Sequence, residues 1–197
     1  MITPQDIITK WNTIGIETHP LSSMKIDSFG LSSQTSDFLK QCGLPRQSPP
    51  FLSFVGNSAR EFDNINSLSF LYDLSNEYDH YINIGGDGAG NPIVINTQNK
   101  DAIQLLDHEE DFALLTSMNT NIFTLSLCLI AYKTFVNTVI DMNGPEAFLD
   151  ANFTDQQFNN LKNDLLTIDK EYAEKGFWEM ELKMLLGNRD YYKNESK

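Results

Sequence analysis

The sequence predicts an α+β fold: a mostly antiparallel or mixed sheet backed by helices, with further helices at the carboxyl end. Short β-like runs with alternating apolar residues fill positions 51–118. Helical patterns with capping residues precede this region, and a long apolar helical pattern follows it. We expect one domain over 1–197. A chain of this length buries roughly 70% of its unfolded surface, so its core needs neither a disulfide nor a metal.

Two helices are predicted before the sheet. Thr3 is a typical N-cap, and Pro4 fits the first helical position. The apolar residues that follow share one helical face: Ile7, Ile8, Trp11 and Ile14. A second helix is predicted over about 33–42, where Gly43 ends it.

The middle of the chain has the pattern of an antiparallel meander. The candidate strands are 51–55, 67–72, 80–85, 92–96 and 102–107. Ile82 and Ile84 alternate with their neighbours, as strand residues packed on one face do. Residues 85–91 and 97–101 are short enough to be hairpin loops.

Helices are predicted to complete the chain. Residues 119–121 offer caps for a long helix through about Met142, which we expect to pack on the sheet. Its expected contact residues are Phe123, Leu127, Ile130 and Phe135. Thr154 begins a capping box, and a last helix is predicted over 177–186 with Gly187 after it. The tail 188–197 is polar and expected to fray.

The glycine-rich segment 85–92 allows two interpretations. Four glycines in six residues are compatible with a phosphate-binding loop, but such a loop needs a helix start directly behind it. Here Pro92 and a β-like run follow, so we predict a hairpin with several positive φ angles. Asp87 would then project from the loop tip, unless its carboxylate bonds the turn backbone.

The run Asp107-His108-Glu109-Glu110-Asp111 follows the last predicted strand. It could be a solvated strand end, an acidic contact surface, or a metal-assisted hydrolytic site using His108, Glu109 and Asp87. Metal sites usually need three protein ligands, and the chain has three histidines and no HExxH motif. Nucleophile motifs such as GxSxG are absent from the sequence. We therefore predict no catalytic residue, no metal and no cofactor.

The charge distribution favours a basic partner. The net charge is −13, and residues 61–111 hold 11 acidic residues and only Lys100 as a base, which gives −10. Such a segment repels nucleic acid and anionic lipid and attracts basic proteins, although acidity can also serve solubility alone. The apolar run 122–140 contains Lys133 and several hydroxyl groups, so we predict a core helix rather than a membrane span. Two isolated cysteines and a start without signal-peptide character predict a cytoplasmic protein.

Four segments, within about 35–186, together resemble immunity proteins of the SUKH superfamily, most closely the fourth subgroup. They are YINIGGDGAGNPIVIN (81–96), LLDHEEDF (105–112), SMNTNIFTLSLCLIAY (117–132) and LLTIDKEYAEKGFWEMEL (165–182). Their order matches the subgroup's hairpin, strand end, helix entry and closing helices. The chain departs from the pattern at Asn96, where aspartate is usual, and at Thr120 and Asn121.

The resemblance implies a bacterial protein that neutralises a cognate polymorphic toxin by stoichiometric contact, the toxin being an enzyme that acts on nucleic acid. Because such enzymes often carry a basic cleft, we expect an acidic face to bind the toxin. The expected contact residues are Asp87, Asp107, Glu109 and Glu110. A non-toxin interaction module of the same fold is the first alternative, and the metal-assisted hydrolase is the second.

Overall fold

The computed structural model describes residues 2–58, 60 and 63–195, in which seven strands form one sheet. The strand order is β1-β2-β4-β5-β6-β7, and β3 pairs with another part of β4. Each pairing is antiparallel. The strands are β1 Gln47–Ser48, β2 Leu52–Phe54, β3 Asn66–Ser67, β4 Tyr81–Gly86, β5 Pro92–Asn96, β6 Ala102–Asp107 and β7 Ala113–Asn119.

Eight α-helices accompany the sheet within the described residues, so the predicted α+β class is confirmed. They are α1 Pro4–Thr13, α2 Ser23–Ile26, α3 Ser33–Gln41, α4 Leu68–Tyr72, α5 Ile122–Asn143, α6 Asp155–Ile168, α7 Lys170–Lys175 and α8 Phe177–Glu195. The main core joins one face of the sheet to α1, α3 and α5. A smaller cluster on the other face contains Leu68, Val94 and Leu106 and includes part of α4.

The predicted helix starts are confirmed by their capping bonds. The Thr3 side chain accepts from the Asp6 N–H at 3.2 Å, while the Asp6 carboxylate accepts from the Thr3 N–H at 2.8 Å. Thr154 forms the equivalent capping box at the start of α6, and Asn121 caps α5. Each cap satisfies backbone donors that a helix start leaves unpaired, which fixes the first turn.

The predicted strand 67–72 is wrong, because most of this run forms α4. Ser67 caps the helix by accepting from the Phe70 N–H at 3.4 Å. Leu68 and Leu71 are buried and Phe70 is exposed, which is the three-residue spacing of a helix face. Only Asn66 and Ser67 pair with β4. The run was predicted as a strand because Ser67 and Ser69 alternate with apolar residues, as polar and apolar residues do in a strand.

The last helix is longer than predicted, because α8 continues through Gly187 to Glu195. Arg189 anchors this extension by donating to the Asp155 carboxylate at 2.8 Å. Its guanidinium also lies 5.0 Å from the centre of the Phe153 ring. These contacts offset the cost of a glycine within a helix, about 1 kcal/mol. The fraying predicted for 188–195 is therefore wrong, and positions 196 and 197 lie outside the described residues.

Helix α5 is rotated relative to the prediction. Phe135 is buried as expected, but Phe123, Leu127 and Ile130 are only half-buried. The buried positions of the helix are instead Ile122, Leu125, Ser126, Cys128, Leu129, Tyr132, Phe135, Val136 and Val139. The helix is long and apolar enough to cross a membrane by length and composition, and half of its most apolar window is buried inside the protein. Because α5 is apolar on several sides, its periodicity could not identify the face that contacts the sheet.

Candidate functional site

Two loops meet at one end of the sheet, as the meander predicted. The β4–β5 loop spans residues 87–91, and the β6–β7 turn spans 108–112. The antiparallel pairing of β5 with β6 brings the start of β5 beside the end of β6. The region therefore contains all four acidic residues proposed as the contact site.

Asp87 organises the β4–β5 loop rather than projecting from its tip. Its Oδ1 accepts from the backbone N–H groups of Ala89 and Asn91, both at 2.9 Å. Its Oδ2 accepts from Asn91 Nδ2 at 3.0 Å. Both carboxylate oxygens are thus used inside the loop, which is the Asx-type role considered from the sequence.

Asn91 connects this loop to the β6–β7 turn. Its amide oxygen accepts from the His108 backbone N–H at 3.2 Å and lies 2.9 Å from His108 Nδ1. Because an amide oxygen only accepts, Nδ1 is the protonated nitrogen of the ring in this contact. Asp87, Asn91 and His108 therefore form one hydrogen-bonded chain that holds the two loops together.

The three acidic residues of the turn have different environments. Asp107 is half-buried, and its Oδ1 accepts from the Glu109 N–H at 2.9 Å, which shapes the turn. Glu109 and Glu110 are exposed, and neither takes part in the ion pairs formed among the described residues. Of the four predicted site residues, these two present their carboxylates to solvent, while Asp87 and Asp107 support the backbone beneath them.

A glycine near the end of β4 permits close strand packing, and β5 follows the loop directly, so the predicted hairpin is confirmed. A Cβ atom on Gly85 would lie 2.2 Å from the Ser53 carbonyl oxygen, so β2 can pair closely only with glycine here. Gly90 adopts a φ of 96°. The prediction of several positive φ angles is wrong, because Gly90 is the only residue of 85–91 with one.

Sequence reasoning missed Phe51, which lies beside this loop. Its side chain is 77% exposed, and its φ of 62° is in the left-handed region that bulky residues rarely adopt. A Cβ atom on Gly88 would lie 3.8 Å from the Phe51 Cβ, so the ring is next to the loop. The predicted strand 51–55 includes Phe51, but β2 begins at Leu52, and the preceding Pro49-Pro50 pair is a signal for a turn.

The geometry offers little to a metal or a nucleophile. Among the described residues, no group of three or more His, Cys, Asp and Glu side chains could hold a metal ion. Asp87 and His108, two of the three ligands of the hydrolase alternative, are bonded to the loop and to Asn91. Burial raises the pKa of Cys42 to about 11 and that of Cys128 to about 12, so both thiols stay protonated at neutral pH.

A second, buried hydrogen-bond network joins the two other segments that carry the resemblance, 117–132 and 165–182. Asn119 Oδ1 accepts from Trp178 Nε1 at 2.9 Å, and Asn119 Nδ2 donates to Asp169 at 3.2 Å. Asp169 also accepts from the backbone N–H of Thr120 at 2.7 Å. The network joins the end of β7 to α7 and α8, and it holds Trp178 fully buried in the core.

We expect Asp87→Ala to loosen the site without unfolding the protein. The change removes three accepted hydrogen bonds from a partly exposed loop, so the free energy of unfolding should fall by about 1 kcal/mol. The His108 ring signals in NMR spectra should shift and broaden, because Asn91 loses its anchor. Glu110→Gln is the control and should leave these signals in place. Unchanged His108 signals in Asp87→Ala would contradict the organising role.

The segments that carry the sequence resemblance therefore contact one another as two hydrogen-bonded networks. One network holds the acidic end of the sheet, and the other fastens the closing helices to β7. In comparisons with known proteins, no family model, no curated protein and no solved structure matches this chain.

Proposed function

We propose that the protein binds a basic protein partner through the acidic end of the sheet, and that it acts as an immunity protein against a toxin. Glu109 and Glu110 are the primary contacts, with Asp87 and Asp107 fixing the loops that present them. Inhibition is stoichiometric, and the partner is the toxin domain, which acts on nucleic acid. The bacterial cytoplasm is the proposed location.

The observation that supports this proposal most is a pair of exposed, unpaired glutamates on a rigid base. Neighbouring loops are fastened by the bonds of Asp87, Asn91 and His108, so the two carboxylates stand on ordered backbone. A preorganised surface loses little conformational entropy on binding. The surrounding segment 61–111 adds a net charge of −10, which steers a positively charged partner toward it.

A non-toxin interaction module would use the same surface and is the alternative function. The neighbouring gene distinguishes the two: an adjoining open reading frame with a variable toxin domain favours immunity. The hydrolase alternative gains no support from the site, because His108 and Asp87 are engaged with other groups.

Reversing both charges should weaken partner binding sharply. In Glu109→Lys/Glu110→Lys, association with the toxin domain encoded by the adjoining gene should slow about tenfold or more at low salt. The dependence of the association rate on salt should decrease as well. The melting temperature should change by less than about 2 °C, because both side chains are exposed. Stopped-flow association and thermal melting measure the two quantities.

The matched control is Glu146→Lys/Asp150→Lys, which changes the net charge equally in the exposed loop between α5 and α6. Association should stay close to that of the wild type in this variant. Equal slowing in both double variants would assign the effect to overall charge rather than to the acidic end. An unchanged rate in the Glu109→Lys/Glu110→Lys variant would refute the proposed surface.

A further inference from the structure

A groove of about 550 Å³ lies between α1, the β1–β2 hairpin and α5. Its walls are largely apolar: Ile16, Phe51 and Phe148 are partly or largely exposed, whereas Trp11 and Leu52 expose only 1% and 2% of their surface, and Lys133 carries the charge. Small-molecule sites typically have volumes of about 300–1,000 Å³ and combine apolar walls with a few polar groups. The groove has the size and the lining of such a site.

Lys133 is the charged group of this groove. It is half-buried near the middle of α5, and positions 129, 130, 136 and 137, one turn away on either side, hold no acidic residue. The ion pairs among the described residues do not include it. An anion in the groove would be attracted to this unpaired cation and would accept a charge-assisted hydrogen bond from it.

The groove also presents aromatic and aliphatic surface to solvent. Phe51 is exposed, and its left-handed backbone holds the ring at the edge of the groove. Burying such surface contributes about 25 cal/mol per Å² to binding. An occupant that combines an apolar body with one negative charge would therefore satisfy both features of the groove.

We propose that this groove binds a free apolar carboxylic acid, with the carboxylate at Lys133 and the alkyl chain against Ile16, Phe148 and Phe51. The groove adjoins the β4–β5 loop at Gly88, but its lining includes none of the four acidic residues, so the inference does not depend on the proposed function. No covalent step is involved, and the acid binds reversibly.

The test uses three probes with the same alkyl chain: decanoate and decyltrimethylammonium, each below its micelle concentration, and decanol below its solubility limit. Decanoate should bind with a dissociation constant on the order of 0.1–1 mM. Decanol should bind about tenfold more weakly and the cation more weakly still. The chain has two tryptophans, so two indole N–H signals report the position. The Trp11 signal should move on titration, while that of Trp178 should stay.

Lys133→Gln should weaken decanoate binding about tenfold and abolish its advantage over decanol. Lys162→Gln, at an exposed lysine on α6, is the matched control and should bind as the wild type does. Ser53→Trp places a large ring on an exposed wall residue and should block all three probes without changing the fold. Decanol binding as tightly as decanoate, or no movement of the Trp11 signal, overturns the proposal. If the Trp11 signal does not move, an apolar side chain of a partner protein becomes the better candidate for the occupant of the groove.

Discussion

Asn119→Ala is expected to lower the free energy of unfolding by about 3 kcal/mol. The side chain of Asn119 is fully buried and bonds Trp178, Asp169 and Cys128 at once. Alanine leaves the Trp178 N–H without its acceptor and removes one donor from the buried Asp169 carboxylate. Each unsatisfied buried group costs about 1–3 kcal/mol, and Asp169 keeps its bonds to Thr120.

Chemical denaturation monitored by tryptophan fluorescence measures this loss, since Trp178 reports on the network itself. Asn163→Ala is the control, because Asn163 is an exposed residue of α6 and alanine favours a helix. Its stability should equal or slightly exceed that of the wild type. A loss below about 1 kcal/mol in Asn119→Ala would mean that water or a rearranged side chain replaces the missing bonds.

Local chemistry made several elements predictable from the sequence. Thr3, Asn121 and Thr154 begin helices because their side chains satisfy backbone donors within three residues along the chain. The β4–β5 hairpin was equally predictable, since the strands it joins and the glycines between them are adjacent in sequence. Helix caps and hairpins depend on residues that are close together in the sequence, so they can be predicted without knowledge of tertiary contacts.

Elements that depend on distant partners were not predictable. The extension of α8 past Gly187 depends on Arg189 meeting Asp155 and Phe153, which are more than 30 positions away in the chain. The buried face of α5 depends on which elements pack around it, and an apolar helix does not specify this from its own pattern. Long-range packing decided both cases.

The candidate site was predicted in position but not in the roles of its residues. The meander topology correctly brought the two acidic loops together, because hairpin-connected strands return to the same end. The sequence left two directions open for Asp87, and the structure shows that it turns inward to bond Asn91, whereas Glu109 and Glu110 face solvent. Asp87 of the hairpin and Asp107 of the strand end shape the backbone of the two loops.

This division of roles separates what holds the fold from what would select a partner. Asp87, Asn91, Asn119, Asp169 and Trp178 all lie in segments that carry the resemblance, and each is bonded within the protein. The exposed Glu109, Glu110 and Phe51 make few internal contacts and can be exchanged at little cost in stability. A scaffold built in this way could change partners without changing its fold.

Glu181→Gln is expected to stabilise the protein at pH 8 by about 2 kcal/mol and to leave its stability at pH 4 nearly unchanged. Burial raises the pKa of Glu181 from 4.5 to about 7 in the folded state. The folded protein therefore keeps a proton that the unfolded chain releases, so the contribution to stability is fully present below pH 4.5 and is lost as pH rises through 7. The residue is half-buried, so solvent screening reduces the effect below the full value of the pKa shift.

Denaturation of the wild type and of Glu181→Gln between pH 4 and 9 gives the difference in their unfolding free energies. This difference reports the contribution of the Glu181 carboxyl group. Glutamine is uncharged throughout, so the difference should grow between about pH 4.5 and 7 and then level off. Glu146→Gln, at an exposed position, should show no such rise. A flat difference for Glu181→Gln would mean that the carboxylate is hydrated in the folded protein, and that the stretch of α8 beside Tyr132 admits water.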